Sequence, residues 1–424
     1  MTRSRSLLGL VALTALPAAA SAQPIASAPP TPVEAPATAP PASTPPRVAS
    51  SPAPAAPRRD VGPGAPVRTA AFGWASPSRA RLAARGLWDR GDDLSRDATR
   101  RDLARALMSL KPGAAGPLPS DVAAQDPAAG PIAAVVRRGW LTTSSGAFRP
   151  DAPVSARFAA TVMLRAMGLG PSLRGLARVA TEDGARLRVP AGFGPAVLSR
   201  ELGLRHNYPA ALDGAERADA SPMRAADLVA MADRAGALSF AARSRAARFA
   251  SIRLPVMSDA QRTVVEAAFA QAGMLYVWGG DWPTSASPWG AQAQGGFDCS
   301  GLVWMAFKGA PSSAALGAGT DLRGRTADAM AFETPSQRVA LSVLAPGDLV
   351  FFGDAGLRTR RGAVSHVGIA LGNGWMVHSS GSRAGVAISP LDSYWASGQA
   401  RARRPGVFGA PPALTSAEKR GLAR

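Results

Sequence analysis

Chemistry in this chain would have to pass through very few side chains. There is one cysteine, Cys299, and there are three histidines, His206, His366 and His378. A thiol followed by two histidines is a minimal set for nucleophilic acyl transfer: a sulfur to attack, an imidazole to take its proton and a polar group to orient that imidazole. Cys299 stands in Phe297-Asp298-Cys299-Ser300-Gly301-Leu302-Val303, where a glycine-rich loop runs into an apolar segment. Asp298 is placed to cap a helix whose first turn holds the thiol. Unsatisfied backbone N–H groups and the positive end of the dipole favour thiolate there, so this placement predicts a pKa below the ordinary value of about 8.5. The same N–H groups, that of Cys299 included, would face a developing oxyanion. A small buried thiol without chemistry is the plainer alternative.

The base must come from the histidines. Ser365-His366-Val367-Gly368-Ile369-Ala370-Leu371 and Trp375-Met376-Val377-His378-Ser379 flank Gly372-Asn373-Gly374, a hairpin pattern. A three-residue loop pairs Leu371 with Trp375, hence Gly368 with His378. His366 and His378 then share one face as diagonal neighbours, their Cα atoms roughly 7–8 Å apart. A two-residue loop is expected to put them on opposite faces. The arrangement suits Cys299 as nucleophile, His366 as proton shuttle and His378 as the group that holds His366. Two merely structural histidines, or a zinc site of Cys299, His366 and His378, are competing readings, although no fourth zinc ligand is evident. His206 has no acidic or thiol neighbour and is expected to be a satisfied structural histidine.

The flanking sequence predicts the elements that position these groups. Ser258-Asp259-Ala260-Gln261 is a capping box, followed by an apolar face of Val264, Val265, Ala268 and Phe269 and a terminating Gly273. Tyr276 to Gly280 signals a turn. A long loop with Trp282 and Trp289 then runs from Asp281 to Gly296, as a cleft rim or a cover for the core. Leu302 to Phe307 is apolar all round, which predicts a buried helix. Leu349-Val350-Phe351-Phe352 follows a Pro-Gly-Asp turn as a strand, and a last strand closes near Pro405.

Arg3 and Arg5 precede an apolar run ending in Ala20-Ser21-Ala22, the pattern of a secretory signal peptide. In an oxidising compartment a lone cysteine has no disulfide partner within the chain. Export also argues against nucleic acid, despite a net charge of +19 that is nearly all arginine. Gln23 to Val67 is rich in proline and alanine and predicts an extended tether. Three stretches between Thr69 and Leu238 are alike, at Ala98-Thr99-Arg100, Pro153-Val154-Ser155 and Met223-Arg224-Ala225. Each opens an alanine- and leucine-rich helix. From Ser239 to Arg253 a basic helix is expected to join the two halves.

Two resemblances follow from these motifs. Residues 90 to 238 resemble S-layer homology repeats, which grip anionic cell-wall polymers. The repeat-opening Thr-Arg pair of that family is kept only at Thr99-Arg100. Residues 258 to 405 carry Tyr276-Val277-Trp278-Gly279-Gly280, the Cys299 motif, Arg325-Thr326-Ala327, Pro346-Gly347-Asp348, His366-Val367-Gly368-Ile369 and Gly372-Asn373-Gly374 in an order similar to the NlpC-type cell-wall cysteine peptidases. The resemblance implies an α+β, papain-like catalytic domain with an antiparallel sheet packed on the cysteine helix, here preceded by a mostly α-helical repeat module. It implies Cys299, His366 and His378 as the catalytic set, Tyr276 as an oxyanion donor, and Asp298 and Ser300 near the free amine of the substrate. It implies a peptidoglycan endopeptidase cutting stem peptides, commonly between D-glutamate and the diamino acid; with the signal-peptide pattern the expectation is an exported enzyme, with no cofactor and no metal. An amidase or acyltransferase on the same fold, or a wall-binding scaffold protein, are the alternatives. The expected organisation is a signal peptide at 1–22, a disordered linker at 23–66 and the helical module at 67–250, followed by the peptidase domain at 251–405 and a basic tail at 406–424. After signal cleavage no integral membrane segment is expected.

Overall fold

The computed structural model describes residues 69–416, apart from 114–115, 209–215 and 293. The signal peptide expected at 1–22, the linker at 23–66 and the end of the tail lie outside the described residues. Apolar spacing at three and four residues builds the first half as helices: α1 (Ser76–Ala84), α2 (Arg100–Leu107), α3 (Ala129–Arg137), α4 (Ala156–Ala166), α5 (Gly170–Ala177), α6 (Phe193–Glu201), α7 (Ala225–Ala237) and α8 (Phe240–Ala247). The three similar stretches open α2, α4 and α7. Thr99 caps α2 in a reciprocal box with Asp102, and Ser155 caps α4 at Phe158 N–H. Just before these helices the chain closes a ring of backbone bonds. Ala98 N–H donates to Met223 O at 2.7 Å, Met223 N–H to Val154 O at 2.8 Å, and Val154 N–H to Ala98 O at 2.9 Å. The repeat starts thus satisfy one another's buried polar groups.

After α8 a short 3-10 turn, Arg248–Ser251, leads into β2 (Arg253–Leu254), which pairs in parallel with β1 (Ala180–Thr181). Helix α9 (Asp259–Phe269) begins in the expected Ser258–Gln261 capping box and buries Val264, Val265, Ala268 and Phe269. Gly273, four residues beyond the helix end, turns the chain at a φ of +84°. The stretch expected as a long loop is built of short ladders: β3 (Asp281–Trp282) pairs with β6 (Gly296–Phe297), and β4 (Ala286–Ser287) with β5 (Gly290–Ala291). Next come α10 (Cys299–Trp304), continued by a π turn at Met305–Gly309, then α11 (Pro311–Ala315) and α12 (Ala327–Phe332).

The remaining strands form one antiparallel sheet, β7 (Arg338–Val339), β8 (Leu349–Phe352), β9 (His366–Gly372), β10 (Trp375–Ser380), β11 (Gly385–Pro390) and β12 (Gln399–Arg403), in the order β11-β10-β9-β8-β12-β7. Helix α13 (Ser393–Gly398) links the last two. Helix α10 packs on β9 and β10, while α6 packs on β11 from the other half. One hydrophobic core therefore runs across the boundary expected at 250/251. Phe193 meets Phe269 at 5.0 Å and Phe249 meets Trp375 at 4.6 Å between ring centroids. Beyond β12 the stretch expected as tail begins with packed residues: the 3-10 turn Gly406–Phe408 sets Phe408 5.8 Å from Phe307. Among the described residues no helix is long and apolar enough to cross a membrane.

Candidate active site

Asp298 caps α10 as the sequence predicts, its carboxylate accepting from Gly301 N–H at 2.6 Å, and this sets Cys299 in the first helical turn. Asp298 also accepts from Gly279 N–H at 3.1 Å and from Ser300 Oγ at 3.1 Å. Arg325 gathers the group. Its guanidinium donates to Asp298 at 3.1 Å, to Ser300 Oγ at 2.9 Å and to Gly280 O at 3.0 Å. Gly301 permits this closeness, since a Cβ there would stand 1.9 Å from Gly280 O. Sequence reasoning noted Arg325 only as part of a motif; its spacing from the acids gave no hint of this hub.

The thiol itself corrects an expectation. Burial and the Asp298 carboxylate push Cys299 up to about 11, against the pull of the Val367 and Ser300 backbone N–H groups and of Arg325. The helix-start effect is present, but desolvation of the charged form outweighs it. Tyr276 lies beside the sulfur; burial, then the charges of Cys299 and Asp298, raise its phenol, which keeps the O–H available as a donor.

The hairpin reaches the expected register by a different route. Gly372 pairs with Trp375, leaving a two-residue turn, Asn373-Gly374, with both residues at positive φ (51° and 75°). A bulge between Trp375 and Met376 then restores the pairing of Met376 with Ala370 and Val377 with Ile369. One extra residue on a strand reverses parity, so the two-residue turn does not separate the histidines. His366 Nε2 and His378 Nδ1 are 2.8 Å apart. Gly368 is needed beneath them, since a Cβ would meet Met376 Sδ at 2.8 Å and His378 Cβ at 3.3 Å.

His366 keeps some exposure at the start of β9, whereas His378 is fully buried. Burial pushes His366 down to about 4. Burial, then His366 and Arg383, hold His378 well below its ordinary range. Trp395 stacks on His366 at 5.0 Å and meets His378 edge-on at 4.7 Å. His378 Nε2 lies 2.9 Å from Ser389 Oγ, and Ser389 in turn donates to Glu201 Oε2 at 2.5 Å. Both nitrogens of His378 are thus engaged, which leaves neither for the zinc considered above. Ser389, Glu201 and Trp395 were missed in the sequence. The one available signal was Arg200-Glu201, a charged pair ending an otherwise apolar helix.

Trp282 and Trp289 sit at the far end of the cysteine helix. Trp289 is 5.6 Å from Trp282 and 6.1 Å from Trp304 between ring centroids, and a Cβ on Gly309 would touch both Trp282 and Trp289. Trp282 packs on the core there, while Trp289 stays exposed. His206 makes no hydrogen bond to Cys299, His366 or His378 and is stacked on Trp74 at 3.5 Å. Its Nε2 is buried with no partner, so it is structural but not satisfied as expected.

Residues 273–404, which carry the sheet, the cysteine helix and the paired histidines, match the NlpC/P60 family. This segment is an NlpC/P60 domain of papain-like fold. A probable endopeptidase of Mycobacterium tuberculosis is 41% identical over 136 residues, which are 31% of this chain and 26% of that protein. Murein DD-endopeptidase MepH of Escherichia coli is 32% identical over 150 residues, 35% of this chain and 47% of that one. The bifunctional muramidase/DL-endopeptidase CwlT of Bacillus subtilis is 37% identical over 139 residues, 32% of this chain and 34% of that one. The chain thus spans from 26% to 47% of the length of these relatives. The NlpC/P60 match lies wholly in the second half, so it lends no support to the S-layer homology resemblance of the first.

Proposed function

We propose that this chain is an exported peptidoglycan endopeptidase that cleaves stem peptides through Cys299, His366 and His378. The observation that carries this reading is the 2.8 Å His366–His378 bond on strands packed against the helix that begins at Cys299. The names of two similar proteins, a murein DD-endopeptidase and a muramidase/DL-endopeptidase, supply the substrate class. In the proposed cycle Cys299 Sγ attacks the scissile carbonyl while its proton passes to His366 Nδ1. Burial disfavours either ion alone, so proton transfer accompanies attack rather than preceding it. Cys299 N–H and the Tyr276 hydroxyl receive the oxyanion. Collapse breaks the C–N bond, His366 returns the proton to the leaving amine, and a thioester remains on Cys299. His366 then takes a proton from a water molecule that attacks the thioester; the C–S bond breaks, the acyl product leaves as a carboxylic acid, and the proton returns from His366 to Cys299 Sγ.

The bond assigned is D-glutamate to the diamino acid, and Asp298 with Ser300 is assigned to the free-amine end of the stem. Arg325 already pairs with both, so their part is to hold an oriented, nearly neutral site. Contact of the helical half with anionic wall polymer is a separate proposal. Its best-matched arginine, Arg100, is turned inward onto Phe148 O at 2.7 Å and Thr142 O at 2.8 Å.

Mass spectrometry of products from defined stem peptides tests the main reading. Cleavage at D-glutamate that disappears in Cys299→Ala is the expected outcome. No cleavage by the unmodified chain, or undiminished cleavage by Cys299→Ala, would overturn it.

A further inference from the structure

The histidine pair does not end within the catalytic half. From His378 the hydrogen bonds pass to Ser389 on β11, and from there to Glu201, the last residue of α6 in the helical half. The end of that helix is clamped in place. Arg200, buried beside it, donates to Gly273 O at 2.7 Å and to Ala384 O, both in the catalytic half. Glu201 is itself buried and pairs with Arg383 at 3.1 Å. It also faces Arg245 of α8 and Asp392 ahead of α13, beside the Ser389 bond.

Hydrogen-bond counting gives this chain a direction. A serine hydroxyl has one proton. If Ser389 donates it to the Glu201 carboxylate, Ser389 must accept from His378, so the His378 proton sits on Nε2. His378 Nδ1 then presents a lone pair, and His366 must donate its Nε2 proton to it. That leaves His366 Nδ1 unprotonated, the form a base needs. If Glu201 is protonated and donates to Ser389, every bond can reverse. His366 then carries its proton on Nδ1 and has no lone pair for the thiol.

We infer that Glu201, supplied by the helical half, is a positioning residue that sets the direction of this relay and so selects the basic tautomer of His366. The inference rests on the reading of Cys299 and His366 as nucleophile and base. It gives the helical half a part in the chemistry that wall binding alone would not require. Burial raises Glu201 to about 7, opposed by Arg383 and by the Ser389 bond. The relay therefore takes its productive direction as pH rises through neutrality.

The test uses the full chain and its single cysteine. The rate of alkylation by iodoacetamide is followed from pH 5 to 9 in the unmodified chain, Glu201→Gln and Ser389→Ala. Nitrogen NMR of the histidine rings reads the tautomers. The unmodified chain should show a step in rate near the Glu201 pKa and His366 protonated on Nε2 above it. Both variants should lose the step. They should react about tenfold more slowly at pH 8 if the wrong tautomer outweighs the right one ten to one. Folded variants with an unchanged rate profile and unchanged tautomers would overturn the inference. So would a His366 proton on Nδ1 at pH 8 in the unmodified chain, a result that stands even if a variant fails to fold. Neither readout needs a peptide substrate, so failure here is separable from failure of the endopeptidase reading.

Discussion

His206 in the helical half and His366 in the catalytic half are the same side chain in similar surroundings. Each stacks on a tryptophan, Trp74 for one and Trp395 for the other. Burial lowers each to about 4, with Arg234 adding to the effect at His206. The difference lies in their nitrogens. His206 Nε2 is buried without a partner, while His366 Nε2 meets His378 at 2.8 Å. A depressed pKa and an aromatic cover therefore do not mark a base. What sets His366 apart, and supports its proposed part as base, is the bond that fixes its Nε2.

Removing each histidine in turn separates the two sites most clearly. His366→Gln should lower kcat/KM on stem peptides by at least about a thousandfold, within the usual worth of a general base. His206→Gln should leave it within about twofold. Equal losses would mean that the two sites differ less than their hydrogen bonds suggest. Next in size, His378→Ala should cost about a hundredfold, mostly in kcat, because His366 keeps its position but loses its fixed tautomer. Gly368→Ala should then cost about tenfold in activity and about 1–3 kcal/mol in stability, read from denaturant melts, because the added Cβ crowds Met376 and His378.

The smallest effect concerns pH. Both histidines stay neutral in the fold down to about 4, while the unfolded chain takes up protons from the ordinary value of 6.5. The unfolded state binds more protons between those values, so stability falls as pH drops from 6.5 toward 4. Melting temperatures should show this decline, and His206→Gln should make it shallower without touching activity. A slope unchanged by His206→Gln would count against the buried, neutral assignment of that ring.

The residues proposed to do chemistry were legible because so few types were available. Cys299 at a capped helix start and two histidines on neighbouring strands followed from identity and parity. Even there the route was hidden. The bulge after Trp375 is a feature of strand pairing that no residue type announces. The thiol pKa was misjudged because a helix start is a local feature and burial is a tertiary one. Glu201 and Ser389 were illegible for a similar reason: 188 positions separate them along the chain. The resemblance among the starts of α2, α4 and α7 did correspond to a physical junction. The inward turn of Arg100 did not follow from that resemblance.

Intact-mass analysis of the chain, quenched in acid during turnover of a defined stem peptide, tests whether Cys299 is the nucleophile. A transient gain equal to the acyl fragment, mapped to Cys299 and abolished in Cys299→Ala, is the predicted result. Turnover with no adduct, undiminished in Cys299→Ala, would contradict it.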